Sequence, residues 1–256
     1  MKRKLFNLCL GLSVLVTTLA GCVSEQELAF KAVESKTHSA VTPANRDGQR
    51  HRAFNERVKQ GNVDLIFIGD SITQGWEGAG RGVWEAYYGN HNAVNLGISG
   101  DRTQHVLWRL ENGNIDGIEP NVAVVMIGTN NLHGNRNTVE ESADGVVAIC
   151  KKLRADLPNT KILLLAIFPR DQYPGKLRSK VVVTNKLISK IADSKVIHYL
   201  DIGERFLEAD GSISKEVMPD YLHLSEKGYK IWAQAMEPKL AELMGEKKKS
   251  RRDFRY

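Results

Sequence analysis

Five short, mostly apolar runs punctuate this chain, at residues 63–68, 93–96, 122–127, 162–167 and 196–200. Between them, apolar positions recur in steps of three and four. Val139, Ala143, Val146, Cys150 and Leu153 form one such series, and Leu177, Val181, Thr184, Ile188 and Ile191 a second. Tyr229, Ala233, Met236, Leu240 and Leu243 form a third, within which Pro238 is expected to kink or interrupt a helix. Thr138 and Glu141 have the spacing of a capping box at the start of the first series. The runs VAVVMI and ILLLAI are apolar at every position, as strands covered on both faces must be. Strand and helix alternate, so the pattern predicts a three-layer α/β/α sandwich around a five-stranded parallel sheet. Ligands of such sheets bind at the carboxyl ends of the strands.

The residues expected at that edge are small and polar. GDS (69–71) follows the first run, GISGDRT (97–103) the second and GTNN (128–131) the third, while DYLH (220–223) precedes the last helix. Each segment alone reads equally well as a turn. Ser71 is a weak nucleophile unless a base and an oxyanion site stand beside it. Taken together, the four segments offer every part. His223 is a candidate base for the Ser71 proton, and Asp220 is placed to orient its ring. The N–H groups of Ser71 and Gly100 and the side-chain amide of Asn130 are candidate donors to an oxyanion. Glycine at 100 lets backbone approach a substrate closely.

Gly69-Asp70-Ser71, the Gly100 turn, Gly128-x-Asn130 and Asp220-x-x-His223 resemble, in order, the four blocks of the SGNH (GDSL) hydrolase superfamily. GDRTQHVLWRLENG, MIGTNN and YLHLSEKGY look most like the platelet-activating factor acetylhydrolase catalytic subunits and related bacterial carbohydrate acetylesterases. The resemblance spans about residues 52–243. It implies a flavodoxin-like strand order, a Ser71, His223 and Asp220 triad, and an acyl cleft walled by Ile72, Thr129 and Leu222. Ile72 stands where the short motif name has leucine, a conservative change. No Gly-x-Ser-x-Gly elbow is present. The implied activity is serine-esterase hydrolysis of short acyl, chiefly acetyl, esters on carbohydrate. The alternatives are a phospholipid or lysophospholipid acylhydrolase and a non-catalytic carbohydrate-binding lipoprotein.

Composition adds limits. With 256 residues, 42% of them hydrophobic and 26% charged, the chain suits one globular domain. The net charge of +6 is concentrated at the ends, in Lys2, Arg3 and Lys4 and in the tail 246–256, so the near-neutral body argues against nucleic acid as partner. A basic start followed by the apolar stretch 5–19 reads as an export signal over residues 1–21. Leu19-Ala20-Gly21-Cys22 resembles a bacterial lipobox, which implies that Cys22 is lipidated and that the protein is anchored at the cell envelope, with the outer membrane favoured. Residues 22–51 are polar and read as a tether, 52–245 as the hydrolase body, and 246–256 as a basic tail. Histidines and cysteines show no zinc spacing, so neither metal nor cofactor is expected. Trp76, Trp84, Tyr87 and Tyr88 suit either helix packing or a sugar-stacking rim. Oligomeric state leaves no mark in the sequence.

Overall fold

The five apolar runs form strands because β-branched and leucine side chains can fill both faces of a covered sheet. In the computed structural model, which describes residues 23–246, these are β1 (Leu65–Gly69), β2 (Ala93–Gly97), β3 (Val122–Met126), β4 (Lys161–Leu165) and β5 (Ile197–Leu200). All pairings are parallel, and the order β2-β1-β3-β4-β5 is the flavodoxin-like arrangement that the resemblance implied.

Alternation along each strand divides the core in two. Ile66, Ile68, Val94, Leu96, Ala123, Val125, Ile162 and Leu164 lie in one apolar cluster. Leu65, Phe67, Val122, Val124, Met126, Leu163 and Leu165 lie in the other. Helices α1 (Glu25–Glu34), α2 (Gln49–Lys59), α5 (Thr103–Glu111), α7 (Val139–Asp156) and α8 (Lys176–Ile188) contribute to the first. Helices α4 (Arg81–Tyr88) and α9 (Glu226–Met244) contribute to the second. Two one-turn helices, α3 (Ser71–Gln74) and α6 (Thr129–Leu132), sit where β1 and β3 end.

Local signals fared well where they were strong. Thr138 and Glu141 form the reciprocal capping box at the start of α7. Helix α9 continues through Pro238 and ends at Gly245, whose φ of 75° suits a left-handed cap. The aromatic residues belong to the core: Trp76, Tyr87 and Tyr88 are fully buried, and Trp76 lies 4.5 Å from Tyr229 and 4.9 Å from Trp232 between ring centroids. Trp84 packs edge-on against Phe67 at 4.9 Å. Trp76, Tyr87 and Tyr88 are therefore too enclosed to form a sugar-stacking rim, and Trp84 is partly buried in the same packing.

The tether reading of residues 22–51 is corrected over its described part. Helix α1 packs against α7 and buries Val33, and Gln26 Nε2 donates to the Ile191 carbonyl at 2.6 Å. Ala40 is fully buried, its carbonyl accepting from Thr103 Oγ1 at 2.7 Å. The segment is therefore part of the body, held by polar contacts to distant backbone that leave no apolar period. Glu246, assigned to the tail, closes onto His91 at 3.1 Å. The export signal, Cys22 and residues 247–256 lie outside the described residues.

A docked segment has a measurable consequence. Val33→Asp places a carboxyl in an apolar contact and should lower unfolding free energy by about 1–3 kcal/mol, read as a lower urea midpoint. A free tether would leave the midpoint unchanged.

Candidate active site

Backbone crowding first brings β1 and β2 to their ends. A Cβ on Gly69 would lie 2.0 Å from Thr73 Oγ1 and 2.5 Å from the Met126 carbonyl, and one on Gly97 would lie 2.3 Å from the Gln74 nitrogen. Only glycine allows α3 to sit this close. Asp70 then turns the chain, its Oδ1 accepting from the Ile72 N–H at 3.0 Å, and Ser71 starts the helix with its side chain half-buried.

Across the edge, the loop before α9 carries the histidine. Asp220 Oδ1 accepts from the N–H groups of Leu222 (3.1 Å) and His223 (2.7 Å), wrapping the loop around the carboxylate. Tyr221 takes a left-handed φ of 60°, and its carbonyl accepts from the Asp171 N–H at 2.9 Å. This folding brings His223 Nδ1 to 2.6 Å from Asp220 Oδ2 and His223 Nε2 to 2.9 Å from Ser71 Oγ. A carboxylate can only accept, so Nδ1 carries the proton and Nε2 is left to accept from the serine hydroxyl. Burial would raise Asp220, yet the hydrogen bonds from the His223 ring and from the two backbone N–H groups outweigh it and hold its carboxyl below the usual carboxylate value.

The other two segments face the same point. Ile98 to Asp101 form a turn closed by the Asp101 N–H on the Ile98 carbonyl at 3.1 Å, with φ +78° at Gly100. Asn130 Nδ2 donates to the Asp101 carbonyl at 2.9 Å and makes only a long contact, 3.4 Å, to Asp70 Oδ2. The N–H groups of Ser71 and Gly100 have no acceptor among the described residues. Ser71, Gln74, Gly75, Glu77, Gly78 and Ser99 line an open cleft of about 380 Å³. Of the three residues expected to wall the acyl cleft, none is among the lining of this one: Ile72 and Thr129 are buried, and Leu222 is half-buried against the same apolar cluster as Ile72.

Several residues had no distinguishing signal in the sequence. Asp101 is fully buried between Arg109 (Nε to Oδ2, 2.9 Å) and Arg46 (Nε to Oδ1, 2.6 Å). Asn131, next to Asn130, ties the second and third segments together by accepting from the Thr103 N–H at 3.0 Å and donating to Thr103 Oγ1 at 2.9 Å. Arg170 Nη1 donates to Thr129 Oγ1 at 3.0 Å. Asp70 is also fully buried: desolvation, reinforced by the charge of Asp101, pushes its carboxyl up to about 7 against the pull of the Ile72 N–H, His223 and Arg170.

A serine, a histidine and a carboxylate aligned in hydrogen-bond register, at the carboxyl edge of a parallel sandwich without the Gly-x-Ser-x-Gly elbow, define a class of ester hydrolase folds distinct from the α/β-hydrolases. Comparison with known proteins agrees. The GDSL-like Lipase/Acylhydrolase family matches residues 67–231. The platelet-activating factor acetylhydrolase IB subunit alpha1 of Homo sapiens is 38% identical over 197 residues, covering 77% of this chain and 83% of its own length. The alpha2 subunit of Rattus norvegicus is 37% identical over 199 residues, covering 77% and 84%. Among solved structures, a GDSL-like lipase from Bacteroides thetaiotaomicron gives a TM-score of 0.62 at 18% identity over 76% of this chain and 98% of that one. A catalytic mutant of an acetylxylan esterase from Geobacillus stearothermophilus gives 0.57 at 21% identity over 75% and 98%. These two likenesses bear on the fold. The chain belongs to the GDSL-like lipase/acylhydrolase family and is a carboxylic ester hydrolase.

Asp70 should leave a signature in stability. Its folded-state value, about 7, lies above the ordinary 3.8. Between those two values the native chain holds a proton that the unfolded chain releases, so stability from this group is fully present below pH 3.8 and falls as pH rises to about 7. Asp70→Asn should remove that component. In urea titrations, the stability of the wild type relative to the variant should decline from pH 4 to 7 and then level off; a constant difference would contradict the buried, protonated carboxyl.

Proposed function

We propose that this chain is a serine esterase that removes short acyl groups, acetyl above all, from carbohydrate. The observation that carries the reading is the single imidazole standing 2.9 Å from Ser71 Oγ and 2.6 Å from Asp220 Oδ2. Ser71 Oγ attacks the ester carbonyl as its proton passes to His223 Nε2, and Asp220 steadies the imidazolium that forms. The negative charge moves to the carbonyl oxygen, where the N–H groups of Ser71 and Gly100 and the Asn130 amide donate to it. His223 returns its proton to the departing alcohol, leaving an acyl-serine. Water, deprotonated by the same ring, then releases the acid and restores Ser71.

Acetyl is favoured by the acyl wall that the resemblance places at Ile72, Thr129 and Leu222, next in the chain to Ser71, Asn130 and His223. Two of these are bulky, and displacing packed side chains costs ~1–3 kcal/mol, enough to slow longer acyl chains by about ten- to two-hundred-fold. Carbohydrate is favoured as the alcohol because Gln74, Glu77 and Ser99 make the cleft polar, whereas the large exposed apolar residues among those described, such as Tyr173, Val182 and Val183, are not among its lining. A second reading follows from the relatives' name: an acetylated phospholipid as substrate. The lipobox-like sequence ending at Cys22 supports placement on the envelope through a lipid anchor.

Acetate release from acetylated xylan and from an acetyl-phospholipid ranks the two alcohols, and release from the phospholipid alone would replace the carbohydrate reading. Ser71→Ala and His223→Ala should each lower kcat by at least ~10³-fold with the fold retained; near-normal turnover in either would remove the nucleophile or base assignment. p-Nitrophenyl acetate should exceed the octanoate in kcat/KM by at least ~10-fold, and Leu222→Ala should narrow that gap. Preference for octanoate in the unaltered protein would overturn the acetyl assignment.

A further inference from the structure

In a trans peptide the carbonyl and the N–H lie in one plane and point in opposite directions. The Ser99–Gly100 peptide is therefore a single unit: its N–H is the proposed oxyanion donor and its oxygen points the other way. That oxygen is held. Arg46 Nη2 donates to the Ser99 carbonyl at 2.8 Å while Arg46 Nε is bound to Asp101 Oδ1 at 2.6 Å, so one guanidinium grips the loop on both sides of Gly100. Arg50 Nε donates to the Gly97 carbonyl at 2.7 Å, and its Nη1 and Nη2 reach the Glu77 carboxylate at 2.8 and 2.7 Å on the cleft wall.

The turn makes this grip consequential. With Ile98 and Asp101 as its ends, Ser99–Gly100 is the central peptide, and the φ of +78° at Gly100 matches a type II turn. Types I and II differ by a flip of that central peptide, and glycine tolerates both. Nothing stands within 4 Å of a Cβ built on Gly100, so packing there does not choose between them. The segment that carries Arg46 is itself fixed, by the Ala44 N–H on the Gln104 carbonyl at 3.0 Å and by Thr103 Oγ1 on the Ala40 carbonyl at 2.7 Å.

We propose that Arg46 is a positioning residue that locks the Ser99–Gly100 peptide in the orientation that aims the Gly100 N–H at the oxyanion. The inference rests on the Ser71 site proposed above. It makes the segment before the family-matched region part of the catalytic apparatus, acting through Gly100 and never touching substrate. An oxyanion donor is worth about 10²- to 10³-fold in kcat, and partial loss of its orientation accounts for less.

The test uses the full chain with p-nitrophenyl acetate and the backbone amide resonance of Gly100. Arg46→Ala should lower kcat by ~10- to 100-fold, below the full donor range because orientation is only partly lost, with KM within about twofold by the same transition-state argument, and should shift the Gly100 resonance. Arg46→Lys keeps a cation beside Asp101 without the planar fork, so it should also lose rate, and it serves if the alanine variant does not fold. Arg52→Ala, which removes only an exposed pair with Asp47, should be silent in both readouts. Gly100→Ala favours the flipped peptide without a clash, and combining it with Arg46→Ala should cost no more than Gly100→Ala alone. An unshifted Gly100 resonance in the folded Arg46 variant overturns the proposal whatever the activity, as does a kcat within twofold of the parent. Retained activity in Ser71→Ala would instead fail the site assignment, leaving the resonance to judge Arg46 on its own.

Discussion

Parallel pairing is the constraint from which the site follows. Strands that all run one way must be joined by crossovers over the faces of the sheet, so their carboxyl ends collect along one edge. Residues 69–71, 97–103 and 128–131 stand at or just beyond the ends of β1, β2 and β3, and pairing in the order β2-β1-β3 sets them side by side. Gly69 is in register with both Gly97 and Met126. Serine, turn and amide are therefore brought together by strand pairing, and the contacts of Asn131 with Thr103 and of Arg46 with Ser99 and Asp101 then fix them. Only the histidine loop, which precedes α9, must be brought in from elsewhere, and its hydrogen bond from Asp171 to the Tyr221 carbonyl docks it beside the chain that leaves β4.

That edge buries two carboxylates, and they are treated differently. Asp101 lies between two guanidinium groups and two turns of chain. A paired, hydrogen-bonded charge of this kind fixes geometry more surely than it adds stability, since desolvation offsets much of the attraction, whereas removal of one partner strands the other. Arg109 extends the pairing to Asn114 Oδ1 at 2.6 Å, and Asn114 Nδ2 reaches His51 Nδ1 at 3.1 Å, so helix α2 is tied to the turn by a chain of polar contacts. Among the described residues Asp70 has no such cation at ion-pair distance, and desolvation pushes its carboxyl up to about 7 instead.

How much of this the sequence revealed depended on the range of the interaction concerned. Strands and the α7 cap rest on neighbours within a few residues, and they were read to within two positions, as with 63–68 against Leu65–Gly69. The serine, histidine and acid were legible because their chemistry requires particular residue types and the sheet edge collects them. Residues 24–50 were misread because their anchors are long-range and polar: Gln26 to Ile191, Ser39 to Asn137, Arg46 to Asp101. In α1 only Gln26 and Val33 are buried, too few to set up a helical period. Arg109 looked like an ordinary charged residue of an amphipathic helix, and nothing local distinguishes an arginine that is wholly enclosed.

Two protonation demands meet at this edge. On the proposed mechanism His223 must be neutral to take the Ser71 proton. Asp70, one residue from the nucleophile and 3.4 Å from the Asn130 amide, is better uncharged, because an ionised carboxylate there both repels a developing oxyanion and competes for the amide proton. Ionising Asp70 thus weakens the donor, and with its carboxyl pushed up to about 7 that weakening sets in as pH rises through neutrality. The buried acid of the GDS motif, whose sequence signal is indistinguishable from that of a turn residue, thereby sets an upper pH limit on a site it does not itself complete.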